Sequence, residues 1–173
     1  MPERPSRKRQ AVARLEPLEA LEALEAAVEH RAESLLQALT AGCALIALAD
    51  GQVVPAETRR LLGVARTHPL LSLLPREAVL AGFAERARAL ALDPCAGRAE
   101  AVRRIAPLAA HPRLARAVLD ACLAVTRADE RVHPREVAAV RLVRDALGLG
   151  PDPGGAPARP GPRGDAAAPT PAA

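Results

Sequence analysis

The sequence contains no tryptophan or tyrosine and only one phenylalanine among its 173 residues. This argues against nucleic-acid-binding modules that stack bases on aromatic side chains. No run of about 18 uninterrupted apolar residues occurs, so we expect no membrane-spanning helix. Half of the residues are nevertheless hydrophobic, and most of these are Ala, Leu and Val. At helical spacing, such small and medium aliphatic residues predict an all-α protein.

Cysteine is also scarce. Cys43, Cys95 and Cys122 are an odd set with no Cys-x-x-Cys motif, which is typical of the reducing cytoplasm rather than of a disulfide-linked secreted domain. The basic residues near the start are followed by a Glu-rich stretch without an apolar segment, so we expect no secretory signal and a cytoplasmic location. Cys43 and Cys122 lie on apolar helix faces and are expected to pack in the core, whereas Cys95 is expected to be more exposed.

The usual motifs of catalysis are missing as well. The sequence has no Ser/His/Asp or Cys/His set, no Walker-type loop and no Gly-x-Gly-x-x-Gly, so we expect that the protein is not an enzyme. Its four histidines share no spacing that would indicate a zinc site.

Composition divides the chain into four segments. Residues 1–14 hold five of the basic residues that produce the net charge of +4 and are expected to form a disordered arm. Residues 15–33 repeat Leu-Glu-Ala, which predicts a helix; its leucines step by three and drift about 60° per repeat, so they form no straight stripe. Residues 34–149 are expected to form the compact domain. Residues 150–173, rich in Pro, Gly and Ala, are expected to be a disordered tail.

Prolines divide the domain into helices, because proline is tolerated in the first helical turn. Pro55, Pro75, Pro112 and Pro134 each precede an apolar run of helical period, and Pro107 is expected to kink or shorten another helix. The predicted helical runs are 28–50, 55–66, 75–91, 96–110, 112–127 and 134–147. We therefore expect a compact bundle of six or seven helices, in which the pairs 33–66 and 112–147 are related by an approximate two-fold.

A short motif occurs twice, 79 positions apart. Residues 49–57 read Ala-Asp-Gly-Gln-Val-Val-Pro-Ala-Glu, and residues 128–136 read Ala-Asp-Glu-Arg-Val-His-Pro-Arg-Glu. Cys43 and Cys122 align at the same offset. An internal repeat often reveals the architecture of a fold. This one places the carboxylates of Asp50, Glu57, Asp129 and Glu136 in two equivalent helix–helix corners.

Each of these carboxylates has a structural explanation and a functional one. Glu57 and Glu136 lie in the first helical turn, where the helix dipole favours an acid by about 0.3–1 kcal/mol. The motif Pro75-Arg76-Glu77 shows that Pro-x-Glu occurs here without a preceding Asp. Asp50 and Asp129 follow the carboxyl end of a helix, where the dipole disfavours them. Either they order the bend as Asx-turns or they bind a cation such as Ca²⁺, Mg²⁺ or Mn²⁺.

The duplicated motif resembles the TerB-like family of tellurite-resistance proteins, and related domains are similar to the amino-terminal part of membrane-tethered DnaJ-type co-chaperones. The resemblance rests on residues 44–57 and their second copy at 128–136, and it covers roughly residues 35–149. It implies an all-helical bundle with a pseudo-two-fold and a role in tellurite or general chemical stress. It also implies a divalent-metal site formed by Asp50, Glu57, Asp129 and Glu136.

The second corner departs from the family pattern, because Glu130 occupies the position of the usual glycine. Glu130 either adds a ligand or marks a corner that no longer binds metal. His133 lies near this corner and is expected to be an exposed loop residue.

The first hypothesis is a cytoplasmic, non-enzymatic domain that binds a divalent cation and partner proteins of a stress-response complex. The alternative is a purely structural, co-chaperone-like domain that binds other proteins through the Leu-Glu helix, without metal. Neither hypothesis includes specific nucleic-acid binding.

Overall fold

The computed structural model describes residues 17–51, 55–126 and 134–150, and within these ranges it contains helices joined by short turns and no strand. The predicted all-α bundle of six or seven helices is confirmed, and none of the described helices is long and apolar enough to cross a membrane. The six helices are α1 (Pro17–Ala47), α2 (Pro55–Thr67), α3 (Arg76–Leu92), α4 (Pro94–Ile105), α5 (Pro112–Thr126) and α6 (Pro134–Ala146). Short 3₁₀ turns lie at Leu71–Leu73 and Ala106–Ala110.

Prolines mark the helix starts, as the sequence predicted. Helices α2, α4, α5 and α6 begin at a proline, and Pro75 is the N-cap of α3. Helix α4 begins earlier than the predicted run 96–110, because the Asp93 carboxylate accepts hydrogen bonds from the amides of Cys95 and Ala96 at 3.0 and 2.9 Å. Helix α4 also ends earlier than predicted, at Ile105, because residues Ala106–Ala110 around Pro107 form a 3₁₀ turn.

Helix α1 is continuous through both the Leu-Glu segment and the first helix of the compact domain. It does not break at Thr40, whose hydroxyl donates to the Leu36 carbonyl at 2.8 Å. The two halves of α1 have different surroundings: residues 21–33 are exposed, whereas residues 38–47 are buried. The buried half is the centre of the fold and contacts α3, α4, α5 and α6.

The core is built from aliphatic side chains with little bulk. Leu39 and Ile46 of α1 and Leu119 of α5 are completely or almost completely buried. Small residues allow the helices to approach closely. At Gly97 in α4, an added Cβ would lie only 2.8 Å from the Cα of Leu90 in α3, so no larger residue fits there without displacing backbone.

The bounds of four helices follow the offset of the repeated motif. Helices α1 and α5 end at Ala47 and Thr126, and helices α2 and α6 span Pro55–Thr67 and Pro134–Ala146, so that all three matched bounds are 79 residues apart. The contacts between elements match as well, because α2 packs against α5 and α6 packs against α1. The described helices on either side of the two corners therefore follow the 79-residue offset of the sequence motif.

Candidate cation site at the acidic corners

The first corner begins where α1 ends. The amide of Ala49 donates to the Ile46 carbonyl, and the amide of Gly51 donates to the Leu48 carbonyl at 3.1 Å, which turns the chain away from the helix axis. Gly51 has a φ of +96°, in the left-handed region that a residue without a Cβ adopts at little cost. Asp50 immediately precedes it and is exposed to solvent.

Glu57 lies at the other end of this corner, in the first turn of α2, and it is unusually buried for a carboxylate. Only 7% of the residue is exposed. Glu77 occupies the same place after Pro75 at the start of α3, and it is exposed. Burial of a carboxylate is costly unless hydrogen bonds or opposite charges compensate for it. The helix-start explanation therefore accounts for Glu77 fully, but it does not account for the burial of Glu57.

The second corner is described only in part. Glu136 lies in the first turn of α6 and is half-buried, in a position that corresponds to that of Glu57. Asp129 falls outside the described residues, as do Val53, Glu130, Val132 and His133. The convergence of all four predicted ligands therefore stays a prediction.

The donor chemistry of the described residues fits a hard cation, but their number is small. Carboxylate oxygens are preferred ligands of Ca²⁺, Mg²⁺ and Mn²⁺. Asp50, Glu57 and Glu136 each have an interaction partner within the structure. No group of three or more His, Cys, Asp or Glu side chains that could hold a metal ion occurs in the described ranges. A cation at either corner would need further oxygen ligands from residues 52–54 or 127–133, or from water.

The two aligned cysteines each precede the aspartate of their motif by seven residues, and they contact each other. Cys43 of α1 and Cys122 of α5 are fully buried, with their Sγ atoms 3.7 Å apart. The hydrogen bond between the thiols, together with burial, raises the pKa of Cys43 well above its ordinary value. The expected core packing of this pair and the exposure of Cys95 are both confirmed. A buried thiol of raised pKa is a poor nucleophile.

Sequence reasoning missed a partly buried polar cluster that joins three helices. The Oε1 atom of Gln37 in α1 accepts hydrogen bonds from Arg86 of α3 and from Arg104 of α4, the latter at 2.6 Å. Arg86 is only 8% exposed, and its Nε atom has no hydrogen-bond partner among the described residues. The signal was available, because Arg86 continues the apolar spacing of Val79 and Phe83 on the buried face of α3.

Comparison with known proteins identifies the family. The sequence model described as tellurite resistance protein TerB matches residues 36–153, which is more than half of the chain. The chain belongs to the TerB family. The match includes both acidic corners and begins after most of the exposed part of α1. No curated protein and no solved structure matches the chain. The expected relation to DnaJ-type co-chaperones is not shown by this match and stays a prediction.

Proposed function

We propose that this TerB-family protein is a non-enzymatic, cytoplasmic protein of the tellurite or general chemical-stress response, and that its acidic corners bind a divalent cation. The proposed ligands are Asp50, Glu57, Asp129 and Glu136. The burial of Glu57 is the observation that carries the proposal, because the equivalent helix-start Glu77 is exposed. A bound cation would add positive charge beside these carboxylates, together with the partner that each of Asp50, Glu57 and Glu136 already has in the structure.

The matched helix bounds support a shared role for the two corners. Cys43 and Cys122 are equivalent in the repeat and contact each other, and two equivalent atoms are in contact only close to the axis that relates them. An approximate two-fold between α1 and α5 would relate the two corners to each other. Carboxylates that share a cation in this arrangement would hold the α1–α2 and α5–α6 pairs in one relative orientation.

Calorimetric titration tests cation binding directly. We expect heat of binding for at least one of Ca²⁺, Mg²⁺ and Mn²⁺ with the full chain, and its loss in an Asp50→Asn/Asp129→Asn double variant. At a cation concentration 100-fold above Kd, binding stabilises the folded state by about 2.7 kcal/mol, so the thermal midpoint should also rise. A Glu77→Gln variant is the matched control, since it removes an acid from the same local motif. Negligible heat for every cation with the unmodified chain would contradict the proposal.

The second candidate function is a protein-interaction module that needs no metal. The exposed half of α1 favours it, because Leu21, Leu24 and Val28 are more than half exposed there. Tellurite tolerance of cells that depend on this protein distinguishes the candidates. The test expresses each variant in cells that lack the original protein. If the Asp50→Asn/Asp129→Asn variant restores tellurite tolerance and a chain lacking residues 1–30 does not, the interaction function is the correct one.

A further inference from the structure

Three arginines from two helices line one cavity. The cavity lies between α2, the first 3₁₀ turn and the start of α3, and its volume is about 540 Å³. Arg59 and Arg66 of α2 and Arg76 of α3 line it, and all three side chains are exposed to solvent. We call this space the arginine cavity. Among the described residues that line it, none is acidic.

The charges of these arginines have no use within the fold. In the part of the chain that the structure describes, no ion pair or hydrogen bond includes the guanidinium group of Arg59, Arg66 or Arg76. Arg104 and Arg116, by contrast, each form an ion pair with an acid four residues away on the same helix. Like charges around one space repel each other, and a bound anion offsets that repulsion. The three charges therefore favour a negatively charged ligand.

Gly63 keeps the space between two of these arginines open. Arg59, Gly63 and Arg66 are separated by four and three residues, so they lie on one face of α2. A Cβ added at Gly63 would have no atom within 4 Å, so no neighbouring helix requires a glycine there. Glycine inside a helix nevertheless lowers its stability relative to alanine. The open space between two guanidinium groups is what this glycine provides.

The start of α3 adds to the positive potential of the cavity. Arg76 is the first residue of α3, and no side chain caps the first turn of this helix. The amide groups at a helix start carry partial positive charge and bind anions such as phosphate. Glu77, the acidic residue of this turn, does not line the cavity.

Most of the remaining lining is apolar. It includes the aliphatic side chains of Leu62, Ala65, Leu74 and Val79, of which the last three are buried. Sites for small molecules typically have volumes of about 300–1,000 Å³, with apolar walls and a few charged groups that orient the ligand. The arginine cavity therefore has the size and the lining of a small-molecule site, and its charged groups are all basic.

We propose that the arginine cavity binds a small molecule in which a phosphoryl group is attached to an apolar part. A guanidinium group fits phosphoryl oxygens because it donates two parallel hydrogen bonds. The phosphoryl group would lie among Arg59, Arg66 and Arg76, and the apolar part would cover Leu74 and Val79. This site contains none of the four acidic corner residues, so it goes beyond the cation binding proposed above, and either can fail without the other.

Calorimetric titration of the full-length chain with phenyl phosphate tests this site. We expect phenyl phosphate to bind at least tenfold more tightly than inorganic phosphate, because its ring buries apolar surface. Arg59→Gln, Arg66→Gln and Arg76→Gln should each raise the dissociation constant at least fivefold, since each removes charge-assisted hydrogen bonds. Gly63→Leu should have the same effect, because it keeps the three arginines but places a side chain between two of them.

Arg88→Gln is the matched control, because Arg88 is an exposed arginine of α3 that does not line the cavity. It should leave the dissociation constant unchanged, as should Asp50→Asn/Asp129→Asn. Urea midpoints of the arginine variants should equal that of the original chain, since these side chains are exposed.

Three results would overturn the inference. The first is no measurable binding of phenyl phosphate, or an equal loss of affinity in Arg88→Gln, which would show that net charge alone attracts the anion. The second is inorganic phosphate that binds as tightly as phenyl phosphate, which would leave a free oxyanion as the ligand. The third is arginine-dependent binding of phosphatidylglycerol vesicles without binding of phenyl phosphate, which would assign this surface to a membrane.

Discussion

At the scale of single residues, the contact between Cys43 and Cys122 links the two halves of the repeat. Both thiols are fully buried, and their Sγ atoms are 3.7 Å apart. Burial and the thiol–thiol hydrogen bond favour the protonated form of Cys43, which is why its pKa is raised. A thiolate at Cys43 would be shielded from solvent, because the residue is fully buried. Cys43 therefore has a structural role as a neutral thiol.

This raised pKa makes the stability of the fold dependent on alkaline pH. An unfolded thiol loses its proton near pH 8.5, whereas the folded Cys43 thiol keeps its proton, so the folded state binds more protons and stability falls as pH rises. We expect the free energy of unfolding to decrease above about pH 8.5, by at most about 1.4 kcal/mol per pH unit for this thiol. The sequence has no tyrosine and a single lysine, so few other side chains titrate there.

Urea denaturation between pH 7 and pH 10, with a phosphine reductant present, measures this effect. A Cys43→Ala variant should show a smaller decrease. Cys95→Ser is the control, because Cys95 is exposed, and it should keep the full decrease. Equal pH dependence in the unmodified chain and in Cys43→Ala would show that Cys43 keeps an ordinary pKa.

At the scale of helices, the distance between neighbouring helices determines where a glycine can be replaced by a larger residue. Helices α2 and α4 each contain one glycine, and the two glycines have opposite surroundings. Gly63 in α2 has no neighbouring atom within 4 Å of an added Cβ. Gly97 in α4 is buried against Leu90 of α3. Substitution by alanine at the two positions therefore measures two effects on stability separately: helix propensity alone at Gly63, and helix propensity combined with packing at Gly97.

We predict that Gly97→Ala destabilises the protein and that Gly63→Ala stabilises it. The Cβ at position 97 would lie 2.8 Å from a backbone atom, which rotation of a side chain cannot relieve. Overpacking of this kind costs about 1–3 kcal/mol, more than the gain of about 1 kcal/mol from helix propensity. At position 63 only the gain of about 0.5–1 kcal/mol remains. Urea midpoints of the two variants check the prediction, and a stabilised Gly97→Ala would show that α3 and α4 are further apart.

At the scale of the whole molecule, α1 belongs to two surfaces. Its buried half is packed among four other helices and holds the bundle together. Its exposed half contributes little to the core, since residues 21–33 are exposed to solvent. Removal of the first thirty residues should therefore leave the bundle folded while it removes the exposed apolar side chains of Leu21, Leu24 and Val28.

This division predicts how stable a truncated chain is. A chain that lacks residues 1–30 should unfold with a thermal midpoint within about 2 °C of that of the full chain, because a change of about 0.5 kcal/mol produces a shift of that size. Thermal unfolding of both chains, followed by circular dichroism, measures the difference. A midpoint lowered by about 5 °C or more would show that the exposed half of α1 stabilises the bundle.

Much of the fold could be predicted, and less of the candidate site. The proline positions predicted the helix starts. Proline has no amide hydrogen, and in the first helical turn this hydrogen has no partner within the helix, so proline is tolerated there. The predicted ligands Asp50, Glu57 and Glu136 lie at helix–helix corners, but their chemistry depends on what surrounds them. Local sequence does not distinguish Glu57 from Glu77, since both follow a proline at the start of a helix.

The amino-acid sequence by itself determined the helices, their starts and the repeated corners, because these depend on backbone chemistry and on the spacing of apolar residues within one segment. Only the tertiary structure decided that Glu57 is buried and Glu77 exposed, and that Arg86 turns inward to Gln37. It alone also divided α1 into a buried half and an exposed half. These outcomes depend on contacts between helices far apart in the chain, and the pattern within one helix does not specify which neighbour will cover it.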